Sequence, residues 1–555
     1  MSPRSTSAAP REILARRGNE GLSRMTGAAT PTPSRRDLLR LIGAAAGGSA
    51  MYGAMASLGF AAESSYRGPI RLEGDPKGAS VLILGAGLAG MTAAFELRRA
   101  GYQVQMLEYN TRPGGRNWSI RGGDVYTELG GATQTCAFDE GLYLNPGPWR
   151  IPYHHHAILD YCRRFGVKLE PFVQLNHNAY LHSTKAFDGK PQRIREIKAD
   201  FEGALAELLA KATRKGALDE EVSKEDREIL LEALRSHGGL DAEFRYRSGG
   251  ESSEVRGYAK PPGGGLDARP VNGEPIGAHD ILTSRLWRGL ANFSGYDFQT
   301  TMFQPAGGMG RIGEAFARQL PGMIRYGAKV TAIRQDERGV AVTFADVASG
   351  AAEEVRADWC VCALPLSILS QIPVNVSAPM KAAIDAVPYA SVVKTGLQFR
   401  RRFWEEDEHI FGGISYTDLP IRQISYPSTD YNAGGKGVLL GGYTWDGPNA
   451  YELTAMPPAG RIEVALECGS RLHPQYRAEF ETGVSVAWHR VPFTLGCAGE
   501  WTDAARRDHY DNLCEIDGRI VLAGEHASYI PAWQEGAILS ALDAITRLHA
   551  RVLAS

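Results

Sequence analysis

The run from Val81 to Leu84, an apolar strand that meets Gly85-Ala86-Gly87-Leu88-Ala89-Gly90, constrains the fold most. Three glycines at G-x-G-x-x-G spacing are followed by Met91 to Ala100, which reads as a helix that Gly101 ends. Gln103 to Leu107 reads as the next strand and closes on Glu108. The whole is a βαβ unit of about thirty residues. Without side chains, the turn at Gly85, Gly87 and Gly90 lets backbone amides approach a pyrophosphate at the N-terminus of the helix. Glu108, at the end of the second strand, is placed to accept hydrogen bonds from a ribose diol. The opening of the fold is therefore α/β and binds a dinucleotide.

At 555 residues the chain exceeds one ordinary core, so two or three regions sharing interfaces are expected. A formal net charge of -2 offers no field for a polyanion, and nucleic acid is not an expected partner. Seven cysteines, odd in number and mostly far apart, argue against a disulfide framework. Cys360 and Cys362 stand in an apolar strand with both thiols on one face, as core packing. His154-His155-His156 looks metal-like, but consecutive positions at a helix start point in different directions, so no metal site is expected. Ser34-Arg35-Arg36-Asp37-Leu38-Leu39 before the charge-free run from Leu41 to Ala62 resembles a bacterial twin-arginine export signal, with Met25 as a candidate start. The expected location is the periplasm or the medium of a bacterium, reached through the export machinery.

The chain divides into residues 1–65 as export signal and linker, 78–150 as the first part of the dinucleotide domain and 151–300 as a helical and substrate region with a long loop, 238–280. Residues 301–365 return to the first domain, 366–512 form a substrate-binding domain and 513–555 complete the first domain. In the helical region Ile194, Ile197, Phe201, Leu205 and Leu208 recur at helical spacing, the stripe of a packed helix. Ser223 with Asp226 resembles a capping box for another helix through Leu234. Residues 238–280, rich in Gly, Pro, Ser and charge, read as a long excursion or partly mobile lid. Met323 to Phe344 alternates as a hairpin, and Ile520 to Ala523 reads as a last strand before a final helix.

Arg112-Pro113-Gly114-Gly115-Arg116 follows Glu108 closely, a second Gly-Gly-Arg element that a nicotinamide site does not need. It resembles the FAD-binding continuation of the flavin amine oxidase family. Glu128-Leu129-Gly130-Gly131, Pro305-Ala306-Gly307-Gly308-Met309, Lys394, Phe403-Trp404 and Gly524-Glu525 with Trp533 and Gly536 stand in that family's order. Asn145 to Pro152, with His156 and Tyr161 to Gly166, is similar to the L-amino acid oxidase subgroup, as is Phe403 to Pro420. The fold implied is α/β, α+β overall: a Rossmann-like FAD-binding domain with a mixed-sheet substrate domain and a helical subdomain.

The resemblance implies roles for particular residues. Gly85, Gly87, Leu88, Ala89, Gly90, Glu108, Gly115, Arg116, Trp149, Arg150, Val330, Gly524 and Glu525 line the FAD, and Gly536 and Ala537 offer amides to the flavin N1/O2 edge. Arg116 reaches the FAD phosphates, and Arg150 pairs with a substrate α-carboxylate. Lys394 stands beside flavin N5, holding a water. Trp533 is one aromatic wall of the substrate site and Tyr443 the other, with Trp445 as an alternative. Cys497 falls nine residues after Trp488, a spacing similar to the flavin-linked cysteine of animal monoamine oxidases. Its surroundings depart from that motif, and FAD is expected to be non-covalent. The implied reaction is oxidation of L-amino acids by oxygen to 2-oxo acids, ammonia and hydrogen peroxide. A 2-monooxygenase giving the amide, a monoamine or polyamine oxidase and a flavin-binding module without turnover are the alternatives. A homo-oligomer, as a dimer, is expected.

Overall fold

The computed structural model describes residues 64–218 and 223–555 of the chain. The proposed export signal lies outside them.

β1 (Ser80–Leu84), α1 (Leu88–Arg99) and β2 (Gln103–Leu107) form the expected βαβ unit. β3 (Trp359–Cys362) lies on the other side of β1, also parallel, and Ile520–Leu522 follows beside it. Ile324–Arg325 and the antiparallel Ile516–Asp517 close the two edges of this six-stranded sheet. Segments far apart in sequence thus build one nucleotide-binding sheet. Burial on both faces explains the unbroken apolar runs of β1 and β3. Val81, Ile83 and Val361 face a core shared with α1 and the C-terminal helix, Gln534–Leu553. Leu82, Leu84, Cys360 and Cys362 face the opposite core, so the two thiols do share a face. Burial pushes the Cys362 thiol up to about 12.

The second layer is a seven-stranded mixed sheet. At its centre β4 (Val392–Phe399), every residue buried, runs antiparallel to β5 (Gly437–Trp445) and to β6 (Phe480–Ala487). Tyr180–His182 joins this sheet parallel to Ile414–Thr417. The substrate sheet therefore draws a strand from within residues 151–300. Ala328–Asp336 and Gly339–Asp346 form the expected hairpin, extended by Ala352–Ala357.

The helical region contains α2 (His156–Arg164), α3 (Ile194–Arg214) and α4 (Lys224–Gly238). Ser223 caps α4 by accepting from the Asp226 amide at 3.1 Å, and the helix runs on to Gly238. The expected stripe on α3 is only half right. Ile194 and Ile197 are buried, but Leu205 and Leu208 are 45% and 52% exposed. The buried face carries Asp200, Gly203, Ala206, Ala210 and Thr213 instead. Small residues win that face because its partners come close: a Cβ on Gly203 would lie 2.3 Å from the Tyr246 ring. Asp200, fully buried, accepts from Tyr246 Oη at 2.6 Å, Arg256 Nε at 2.9 Å and the Ile276 amide at 2.9 Å. The excursion of residues 238–280 is thereby fastened to α3 and includes a helix, Gly250–Arg256.

Candidate active site

The glycine turn has the geometry its spacing demands. Gly85 takes a φ of +98°, and a Cβ on Gly90 would lie 2.0 Å from the Gly85 carbonyl oxygen. Among the described residues nothing lies within 4 Å of a Cβ built on Gly87, so that face of the turn is open for a group bound against it. The amides of Leu88, Ala89 and Gly90 precede the first bond of the turn, Met91 N–H to the Gly87 carbonyl, and no acid stands in that turn. Gly114 donates to the Ala86 carbonyl at 2.8 Å, and a Cβ on Gly115 would lie 3.2 Å from Gly87 Cα. The two glycine elements therefore pack as one cradle. Glu108, buried at the end of β2, accepts from the Ala86 amide at 2.6 Å and from Asn110. A carboxylate has about four lone-pair sites, so acceptor capacity for a diol remains. Ala328 donates to the Glu108 carbonyl, which brings the strand of Val330 alongside. A dinucleotide fits these residues.

Arg116 makes a contact not anticipated from the sequence. It donates to Glu525 Oε1 at 2.8 Å and to the Cys497 carbonyl at 2.6 Å. Glu525 also accepts from the amides of Gly499 and Ala532. Burial pushes the Glu525 carboxyl up, but Arg116, His526 and the Ala532 amide together more than reverse this, and the group stays below its ordinary range. Gly524-Glu525 thus anchors Arg116, and with it the turn that follows Gly115. Burial pushes the Cys497 thiol up to about 12 against the opposing pull of Arg116 and Lys394. A thiol held protonated in this way is a poor nucleophile toward a flavin ring.

The C-terminal helix begins after Trp533. A Cβ on Gly536 would lie 2.4 Å from the Ile530 carbonyl oxygen, so the loop crosses the helix start at close range. Of the two amides expected at a flavin edge, that of Ala537 is turned toward the Trp533 carbonyl at 3.4 Å, a long first-turn bond. Gly536, one residue earlier, precedes that bonding and has its amide to offer.

Lys394 lies in the middle of β4, 2% exposed, and donates through Nζ to the Gly147 carbonyl. Its ammonium lies 4.4 Å from the centre of the Tyr443 ring and 4.8 Å from that of Trp149. Register explains this: Tyr443 on β5 is directly opposite Lys394. Burial pulls the Lys394 pKa down to about 7, with Cys497 opposing and Arg150 assisting. Arg150 donates to Gln174 Oε1 at 3.0 Å and spreads its guanidinium over Phe298 and Trp149, at 4.6 and 5.0 Å. Trp445 packs 6.2 Å from Tyr443, and both join Trp149, Cys497 and Trp533 around one apolar cluster. Lys394, Arg150, Tyr443 and Trp445 thus gather around Trp149, and Trp533 belongs to the same apolar cluster.

Gln174, Phe298 and the Gly147 carbonyl were not anticipated, because they belong to loops or to a single short helical turn whose only signal is their place in the fold. The histidine triplet also needs correction. α2 starts at His156, and the preceding turn is closed by the His155 amide on the Pro152 carbonyl. The His154 and His155 rings therefore lie 4.8 Å apart instead of diverging on a helix. His154 Nε2 is 3.1 Å from Asp297 Oδ1, and the His155 ring packs edge-on 4.9 Å from Trp533. Glu535 holds this turn against the C-terminal helix by accepting from the amides of Ala157 and Ile158.

The model of the flavin containing amine oxidoreductase family matches residues 88–548. An L-amino-acid oxidase of Siganus canaliculatus is 28% identical over 85% of this chain and 86% of its own. A flavin-dependent L-tryptophan oxidase, RebO, of Lentzea aerocolonigenes is 29% identical over 85% of this chain and 98% of its own. Among solved structures, a putrescine oxidase variant superposes with a TM-score of 0.56 at 16% identity, covering 86% of this chain and 99% of that one. Cyclohexylamine oxidase from Brevibacterium oxydans gives 0.54, also at 16%, over 85% and 98%.

Proposed function

Because the chain belongs to the flavin-containing amine oxidoreductases, we propose that it is an FAD-dependent L-amino acid oxidase, with oxygen as acceptor and a 2-oxo acid, ammonia and hydrogen peroxide as products. The observation that carries the substrate class is Arg150. Its planar fork, set between Trp149 and Phe298 and oriented by Gln174, is built to grip a carboxylate with two parallel bonds. A simple amine offers nothing for that fork to hold. The L-amino acid oxidases among the relatives support the same reading.

FAD, when bound, supplies the two-electron acceptor for the Cα–H and C–N bond chemistry. The cradle of Gly85, Gly87, Leu88, Ala89, Gly90 and Gly115 would hold its pyrophosphate, Glu108 its ribose, Val330 its adenosine end, and Arg116 with Glu525 the turn between. Gly536 would give an amide to the flavin edge. Trp533 and Tyr443 flank the substrate amine, with Trp445 behind Tyr443. Lys394 is the residue that moves protons: with a pKa near 7 it can take a proton from a water and return it, which assists oxygen reduction and imine hydration. The aromatic walls exclude bulk water.

Arg150→Ala tests this. Losing a charge-assisted bidentate pair costs about 3 kcal/mol, so kcat/KM on amino acids falls by roughly 100-fold. Activity on the matching decarboxylated amines should fall little. Unchanged efficiency on amino acids would overturn the assignment, and an amide in place of the 2-oxo acid would make the enzyme a 2-monooxygenase. The chain is further proposed to leave the bacterial cytoplasm by the twin-arginine route and to act as a homodimer. The dipeptide Arg35-Arg36 supports the first, and its replacement by two lysines should retain a reporter fusion in the cytoplasm.

A further inference from the structure

We propose that His154, His155 and Asp297 form a binding site for a divalent first-row transition cation of the Zn2+ class, set behind Trp533 and separate from the Lys394 and Arg150 chemistry. All three residues are buried, at 1%, 2% and 8% exposure, and one ligand atom from each lies within 4.8 Å of the others. Two imidazoles and a carboxylate are the donor set that such cations prefer. The 3.1 Å between His154 Nε2 and Asp297 Oδ1 is close to the separation of two ligands on one tetrahedral cation, about 3.3 Å for bonds near 2.0 Å.

The His154 nitrogen that faces Asp297 is Nε2, the ligand atom of the site; Nδ1, on the far side of the ring, has no hydrogen-bond partner among the described residues and takes no part in it. Tyr296 covers the group, its ring 4.6 Å from that of His154. The donors come from two places in the chain, the turn before α2 and the short helix Tyr296–Phe298. The second also carries Phe298, which lies over Arg150. A cation here would fasten that segment to the turn and to the start of the C-terminal helix. Neither the family's flavin chemistry nor the substrate reading requires such an ion.

The test uses untagged holoenzyme, stripped with chelator and dialysed against buffered Zn2+. Metal analysis should find about one equivalent per chain. Binding should weaken by about 100-fold or more in His154→Ala and in Asp297→Asn, each checked by its flavin spectrum. Zn2+ should also raise the Tm of the wild type by roughly a few degrees and leave the variants unmoved. In case a variant fails to fold, Cu2+ bound to the wild type should give an electron paramagnetic resonance spectrum with two imidazole nitrogens. Negligible binding by the wild type, equal binding by folded variants, or a Cu2+ spectrum without two nitrogens would each overturn the site.

Discussion

An ammonium enclosed by two aromatic faces and a single carbonyl costs free energy that water no longer offsets, and Lys394 meets that cost by giving up its proton near pH 7. The sign of the consequence follows from linkage. The pKa is about 7 in the fold and 10.5 for an ordinary lysine, so between those values the unfolded chain binds the extra proton. The penalty is fully present below about pH 7 and is relieved as pH rises toward 10, at most about 1.4 kcal/mol per unit. Lys394→Met should abolish this rise, so that Tm against pH is flatter in the variant than in the wild type. The same variant should lower kcat on amino acids and remove the limb of the pH profile near 7, measured at saturating oxygen. Superimposable profiles would contradict the role given to Lys394. Lys394, Arg150 and Trp533 were legible in the sequence because they stand inside recognisable runs. Gln174 was not: it reaches Arg150 across 24 residues of chain, with no spacing to betray it.

At the scale of elements, two glycines in one turn should respond differently. A methyl group at Gly90 would collide with the Gly85 carbonyl, whereas one at Gly87 meets open space. Gly90→Ala should therefore destabilise the apoprotein by about 2 kcal/mol or more in urea unfolding. Gly87→Ala should leave apoprotein stability within about 0.5 kcal/mol yet weaken FAD binding at least roughly tenfold in a flavin titration, because its methyl enters the face offered to the pyrophosphate. Equal effects of the two on stability would show that the turn is held by something other than this packing. The βαβ unit was legible because its contacts are local and its glycines are obligatory. The buried face of α3 was misread for the opposite reason. Leu205 and Leu208 repeat at helical spacing, but which face is covered depends on Tyr246, Arg256 and α4, whose approach requires Gly203 and Ala206. Likewise the His154–His155 turn depends on where α2 starts, at His156, which the sequence does not mark.

For the whole molecule the decisive joint is an ion pair between segments that sequence spacing could not connect. Glu128, in the turn between Val125–Thr127 and Thr133–Thr135, meets Arg461 of the helix Pro458–Leu472, which packs on β6. Both side chains are wholly buried, with Arg461 Nη1 and Nη2 on the two carboxylate oxygens, Nε on the Leu453 carbonyl and Nη2 also on the Met456 carbonyl. Glu128 was visible only as part of the motif Glu128-Leu129-Gly130-Gly131, with no partner in view. A buried pair this well satisfied contributes little beyond an apolar substitute of the same shape, but removing one member strands the other charge. Glu128→Gln should therefore cost about 3–5 kcal/mol in holoenzyme unfolding. Combining Glu128→Leu with Arg461→Met should recover a large part of what Glu128→Leu loses alone, a coupling seen as non-additivity in the double-mutant cycle. Additive losses would mean that the two residues act on stability independently. The Arg461 helix also packs on β4 and β5, the strands of Lys394 and Tyr443, so the recovered double variant should regain activity along with stability.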